Sequence, residues 1–147
     1  QTISYKNKEE AYELILKWTA LERDGKIFTR KESNIEAEFI TQIFGEVLGY
    51  TLFSSNLKSW ELEQKYQING QQCDAVLGNF SDGVIKPVAI IELKGPNVNL
   101  DKDRSNGRTA VQQCWDYMNM VPECPWGIVS NIVSFRLYHR DHSPRKY

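Results

Sequence analysis

The sequence predicts an α/β domain with a mixed central sheet flanked by helices, in the order α-α-β-β-β-α-β-β. Three observations carry this. Two N-terminal segments place apolar residues at helical spacing. From Trp60 onward the period shortens to two, and Asn69-Gly70 interrupts it with a strong hairpin signal. A continuous apolar run, Val88-Ala89-Ile90-Ile91, then reads as a strand buried on both faces, the pattern of a sheet centre.

The first helix is expected over residues 7–22, with Tyr12, Ile15, Leu16, Trp18 and Thr19 near one face, and Asp24-Gly25 ends it. The second begins after Lys31. Ser33 is placed to cap it, with Glu36 three residues on completing a capping box. Its apolar side is Ile35, Phe39, Ile40, Ile43, Phe44, Val47 and Leu48, and Gly49 closes it. Trp60, Leu62, Gln64, Tyr66 and Ile68 alternate as a half-buried strand. The return strand covers residues 72–80, and Ser81-Asp82-Gly83 turns the chain into a third, central strand over residues 88–94. Residues 95–107 form a long polar loop, a length that is often functional. Thr109 caps a helix ending before Pro122. Two strands follow, over residues 126–130 and 133–140.

With 147 residues the chain suits one domain with a real core. It starts with Gln1 and stops just after a strand-like segment, so residues 1–147 are expected to be one domain of a longer multidomain protein. A net charge of −1 offers no bulk attraction to nucleic acid, although a local basic stripe is compatible with it. Cys73, Cys114 and Cys124 are odd in number and widely spaced, and His139 and His142 are the only histidines. That excludes an obvious zinc site or disulfide framework and points to reduced thiols in a cytoplasm. No signal peptide and no membrane-spanning apolar run are visible.

The chemistry concentrates at Asp74 and Glu92-Leu93-Lys94. Glu92 and Lys94 leave the central strand on one face, where burial is costly unless they are paired. Asp24-Gly25-Lys26 and Glu63-Gln64-Lys65 share the acid-x-Lys spacing. The first lies in a helix-ending turn, and the polar face of an amphipathic strand accounts for the second. Mg²⁺ takes oxygen ligands and needs only one or two carboxylates beside substrate phosphate. Asp74 and Glu92 can supply them, the Leu93 carbonyl can add a third oxygen, and Lys94 can position a water or neutralise a phosphate. A lysine beside a metal ion can also have a lowered pKa.

Asp74 with Glu92-Leu93-Lys94 resembles the PD-(D/E)xK nuclease motif, with Cys73 where a proline often precedes the aspartate. Gln113 and Tyr117, a Gln-x-x-x-Tyr on the following helix, resemble the pairing in Type I restriction subunits and Type IIG restriction-modification enzymes. Glu38-Phe39 with Ile43-Phe44-Gly45, and Gly127-Ile128-Val129-Ser130-Asn131 with Phe135-Arg136-Leu137-Tyr138, are similar to the first helix and closing strands of the Type IIG nuclease domain.

The resemblance, over residues 33–140, implies a restriction-endonuclease-like fold and a Mg²⁺-dependent DNA endonuclease, with Mn²⁺ as a substitute, acting by in-line attack of a metal-activated water. It implies Asp74, Glu92 and the Leu93 carbonyl as metal ligands and Lys94 as the catalytic lysine. Gln113 and Tyr117 would support the site or touch DNA near the cut. Glu38 would reach the metal through water or hold a second ion, whereas helical geometry favours Glu36 for the same place. The implied partner is double-stranded DNA, with transient dimerisation on it. Methyltransferase and target-recognition domains would lie further along the polypeptide, and S-adenosylmethionine would serve only that missing part. A repair or recombination nuclease of the same superfamily and a non-catalytic DNA-binding or interaction module are the alternatives. Lys102, Arg104 and Arg108 either contact phosphates or form a solvated loop, and Arg136, Arg140, Arg145 and Lys146 read as a face toward a neighbouring domain.

Overall fold

A computed structural model describes residues 7–55 and 58–147. Helix α1 (Lys8–Arg23) stops where Gly25 takes a left-handed φ of 70°, and a short 3₁₀ turn, Lys26–Thr29, leads to α2 (Glu32–Phe39). Helix α2 runs on without a break as a π-helix, Ile40–Val47, and Gly49 ends it with φ 81°. The expected Ser33 cap does not form. The N-cap position falls on Lys31, in extended conformation and without a side-chain cap bond, so Ser33 lies inside the first turn. Glu36, the other half of the expected box, is held instead by a distant lysine, Lys65.

The predicted strand over residues 60–68 is two pieces. β1 (Ser59–Gln64) ends at Lys65, whose φ of 53° breaks the extended chain. β2 (Gln67–Ile68) then pairs with β3 (Gln71–Gln72) across Asn69-Gly70, where both residues have positive φ, as a type I′ turn demands. β4 (Ala75–Ser81) and β5 (Val84–Leu93) form a tight hairpin, so β5 starts four residues before Val88. Helix α3 (Ala110–Met120) carries the expected Thr109 cap, as a full capping box with Gln112. β6 (Trp126–Ser130) and β7 (Phe135–His139) complete the chain's regular structure.

Five strands make one mixed sheet in the order β1-β4-β5-β6-β7, with β5 central. Only β5 and β6 are parallel, and α3 is the crossover between them. Alternation along β5 sends Ile91 and Leu93 into a core shared with Trp18, Ile35, Phe39 and Phe44 of the N-terminal helices. Ile90 joins Cys114, Tyr117 and Met118 of α3 on the other face. Burial on both faces is what the apolar run predicts, each large apolar side chain contributing roughly 1.5–3 kcal/mol. Helix α3 lies so close to the sheet that a Cβ on Gly127 would sit 2.5 Å from Met118 Sδ.

Cys73, Cys114 and Cys124 are free and buried. Of the basic residues near the end, Arg136 and Arg140 are engaged internally, whereas Arg145 and Lys146 are exposed. Arg136 makes a two-pronged bond to Asp101 at 2.6 and 2.8 Å. Arg140 donates to the carbonyls of Met118, Val121 and Cys124, covering the C-terminal end of α3. Among the described residues, no helix is long and apolar enough to cross a membrane.

Candidate functional site

The site forms where β5 ends. Backbone alternation puts Glu92 and Lys94 on one face, and their side chains meet, Lys94 Nζ lying 2.6 Å from Glu92 Oε1. Asp74 sits between β3 and β4, beside the same strand end. Its Oδ2 accepts the Leu93 N–H at 2.7 Å, tying the carboxylate to the backbone of the Glu92-Leu93-Lys94 triplet. The Leu93 side chain is buried in the core behind it.

Helix α2 brings two further acids. Glu32 Oε2 accepts the N–H of Gly95, immediately after Lys94, at 3.0 Å. Glu36, one helical turn on, faces the same way. Carboxylate oxygens of Glu32, Glu36 and Asp74 lie within 4.8 Å of one another. Lys65 reaches into this group, with Nζ 2.5 Å from Glu36 Oε1 and 3.5 Å from Asp74 Oδ1. The left-handed conformation of Lys65 takes the residue out of the β1 alternation.

Electrostatics follow from the crowding. Burial pushes the Glu92 carboxyl up to about 7, aided by the nearby Asp74 charge and only partly offset by Lys94. Burial also raises Glu32 and Glu36, against the opposing pull of Lys94 on the first and Lys65 on the second. Desolvation disfavours the charge on both lysines, but their acidic neighbours outweigh it and hold them above the usual lysine range. Glu92 beside Lys94 raises the lysine, where a neighbouring metal ion would lower it.

Gln113 and Tyr117 share a buried face of α3. The Tyr117 hydroxyl donates to the carbonyl of Gln72 at 2.8 Å, two residues before Asp74, and Gln113 Nε2 donates to the carbonyl of Ser105 at 3.1 Å. Both brace the chain around the acids: one holds the segment that carries Asp74, the other the loop after Lys94. That loop is fastened again by Asn131 to Val98 and by Asp101 to Arg136. Of its basic residues, Arg108 is committed to Asp116 at 2.6 Å, and Arg104 to the Gly107 carbonyl.

Glu38 does not join the acids. It is exposed, on the side of α2 toward α1, pairing with Lys17 at 3.5 Å and accepting from Gln42. Glu36 is the helix acid that lies beside Asp74. Sequence reasoning missed Glu32 and Lys65. Glu32 is four residues from Glu36 on a helix, a visible signal. Lys65 was hidden because a continuous strand would have turned it to the solvent face. The weak point was Gln64, a polar residue at an apolar position of that strand, next to the break.

No family model, curated protein or solved structure matches this chain.

Proposed function

We propose that this domain is a divalent-cation-dependent nuclease on a restriction-endonuclease-like fold, hydrolysing phosphodiester bonds of double-stranded DNA. The observation that carries the reading is the convergence of Asp74, Glu92 and Lys94 at one strand end, with Asp74 bonded to the peptide between the other two. The donor set fits Mg²⁺. It consists of hard carboxylate oxygens, and more acidic groups than ammonium groups are gathered there. The raised Glu92 carboxyl marks a place where a cation would relieve unfavourable negative charge.

Asp74 and Glu92 would hold the ion, with Glu36 and Glu32 beside them. When bound, it supplies Lewis-acid stabilisation of the phosphoryl charge and a more acidic water. Lys94, anchored by Glu92, keeps its ammonium where it can orient an attacking water and neutralise a phosphate oxygen. Water would attack phosphorus in line and give up a proton to solvent, while the opposite ester oxygen would leave and take up a proton, so that one P–O bond is made as one is broken. Tyr117 and Gln113 keep the Asp74 segment and the following loop in place. A net charge of −1 fits a domain whose grip on DNA comes from elsewhere in a larger enzyme. The preference for a restriction-modification role over repair rests on the resemblance of Gln113 and Tyr117 to the restriction-enzyme pairing.

The test is nicking of supercoiled plasmid with Mg²⁺ or Mn²⁺, with EDTA, and with Lys94→Ala, at protein concentrations high enough to offset weak DNA binding. Cation-dependent nicking that Lys94→Ala abolishes is expected. Identical plasmid from the wild-type protein and the variant, in the full-length enzyme, sinks the proposal.

A further inference from the structure

We propose that Lys65 is a tethered counter-ion which occupies the acid cluster in the cation-free protein and is displaced when a divalent ion binds, so that it sets the site's affinity for metal. The inference rests on the reading of Asp74 as a metal ligand given above.

Three observations carry it. First, the Lys65 ammonium lies against two carboxylates, Glu36 and Asp74, and Asp74 also accepts the Leu93 N–H between Glu92 and Lys94. An ammonium is a compact monovalent cation, so it already meets part of the demand that a metal ion would meet. Second, the Lys65 side chain is half exposed, whereas that of Lys94 is 15% exposed. Lys65 has a route to water that Lys94 lacks. Third, Lys65 comes from outside the regular sheet. Its φ of 53° lies in the left-handed region, which bulky residues seldom adopt, and this break takes it off the strand's outer face. Glu92 and Lys94 form a pair fixed by one strand, while Lys65 and the acids it meets come from three separate segments.

The chemistry is an exchange of cations. The ion displaces the ammonium from Glu36 and Asp74, and the lysine moves outward into solvent without changing its protonation state. No bond is made or broken in the chain. The freed ammonium carries its positive charge to the rim, where an incoming phosphate would meet it.

The experiment follows Mn²⁺ binding by electron paramagnetic resonance in the wild-type protein, Lys65→Gln and Lys65→Asn. Asparagine tolerates the left-handed conformation, so the second variant protects against misfolding at this position. With the competing ammonium gone, Mn²⁺ should bind about two- to fivefold more tightly in both variants, the range expected for a partly exposed ion pair. General loss of positive charge could mimic that change, so a second measurement reads displacement itself. Acylation of Lys65 by acetic anhydride, followed by mass spectrometry against exposed Lys86, should rise in the wild-type protein when Mn²⁺ is added. Mn²⁺ that binds the wild-type protein while Lys65 labelling stays constant overturns the displacement, as does weaker binding in both variants. Failure of Mn²⁺ to bind the wild-type protein at all overturns the metal-site reading itself, and this inference with it.

Discussion

Glu92→Gln should stabilise the fold at alkaline pH and leave it nearly unchanged in mild acid. Glu92 is 4% exposed, and its carboxyl is raised from 4.5 to about 7 by burial beside Asp74. In the unfolded chain it titrates near the ordinary carboxylate value. Between those two values the folded state holds the proton that the unfolded state has lost, so stability falls as pH rises through that window. Above it the folded protein carries the whole cost of a buried charge, about 3 kcal/mol at roughly 1.4 kcal/mol per unit. The amide keeps the shape and removes the charge, but it also takes a partner from Lys94. The net gain expected at pH 8 is therefore roughly 1–3 kcal/mol, vanishing near pH 5, where the wild-type side chain is itself neutral. Urea denaturation at both pH values measures this. Saturating Mg²⁺ at pH 8 should then raise the stability of the wild-type protein by about 2.7 kcal/mol at a hundred times the dissociation constant, and that of the variant much less. A variant less stable than wild type at pH 8 would show that the carboxylate is a net anchor for Lys94, and the burial reasoning would fail.

Tyr117→Phe removes the bond to Gln72 and should cost about 1 kcal/mol in urea titrations while weakening Mn²⁺ binding a few-fold; unchanged metal affinity would remove Tyr117 from any positioning role. In Gly127→Ala the new Cβ would press on Met118 Sδ at 2.5 Å and Cys114 Sγ at 2.7 Å, with an expected loss of about 1–3 kcal/mol in thermal denaturation. Arg140→Met leaves the carbonyls of Val121 and Cys124 without their charged donor, and amide exchange near the end of α3 should quicken while that of β5 stays slow.

The order of the helices and of the five main-sheet strands was legible because it rests on periodicity, which burial enforces: Ile90 and Ile91 had to face opposite cores. The breaks at Lys65 and Asp74 that set β2 and β3 apart were not legible. Thr109 was legible as a cap because both halves of its capping box, Thr109 and Gln112, are local in sequence. The Ser33 box failed for the opposite reason. Glu32 and Glu36 find partners in Gly95 and Lys65, 63 and 29 residues away along the chain, and no local pattern encodes such distances. Of the candidate site, the Asp74, Glu92 and Lys94 grouping could be read from strand alternation and hairpin adjacency. Lys65 could not, because one backbone dihedral at a strand end reverses where its side chain goes. Glu38 misled because its neighbours in sequence matched a pattern while its position on the helix faced α1.

The bonds that close the acid site also have a bearing on how the chain reaches its native state. Asp74 to Leu93 spans 19 residues, Tyr117 to Gln72 spans 45, and Glu32 to Gly95 spans 63. The β4–β5 hairpin needs only a short turn, so it can form early. The longer closures lose more chain entropy before they return any contact. Loop-closure cost predicts that the acid cluster completes late in folding, once α3 has crossed over and the N-terminal helices have docked. On the metal-site proposal made above, a refolding chain would gain cation affinity only at that stage, and metal uptake would then mark arrival at the native state.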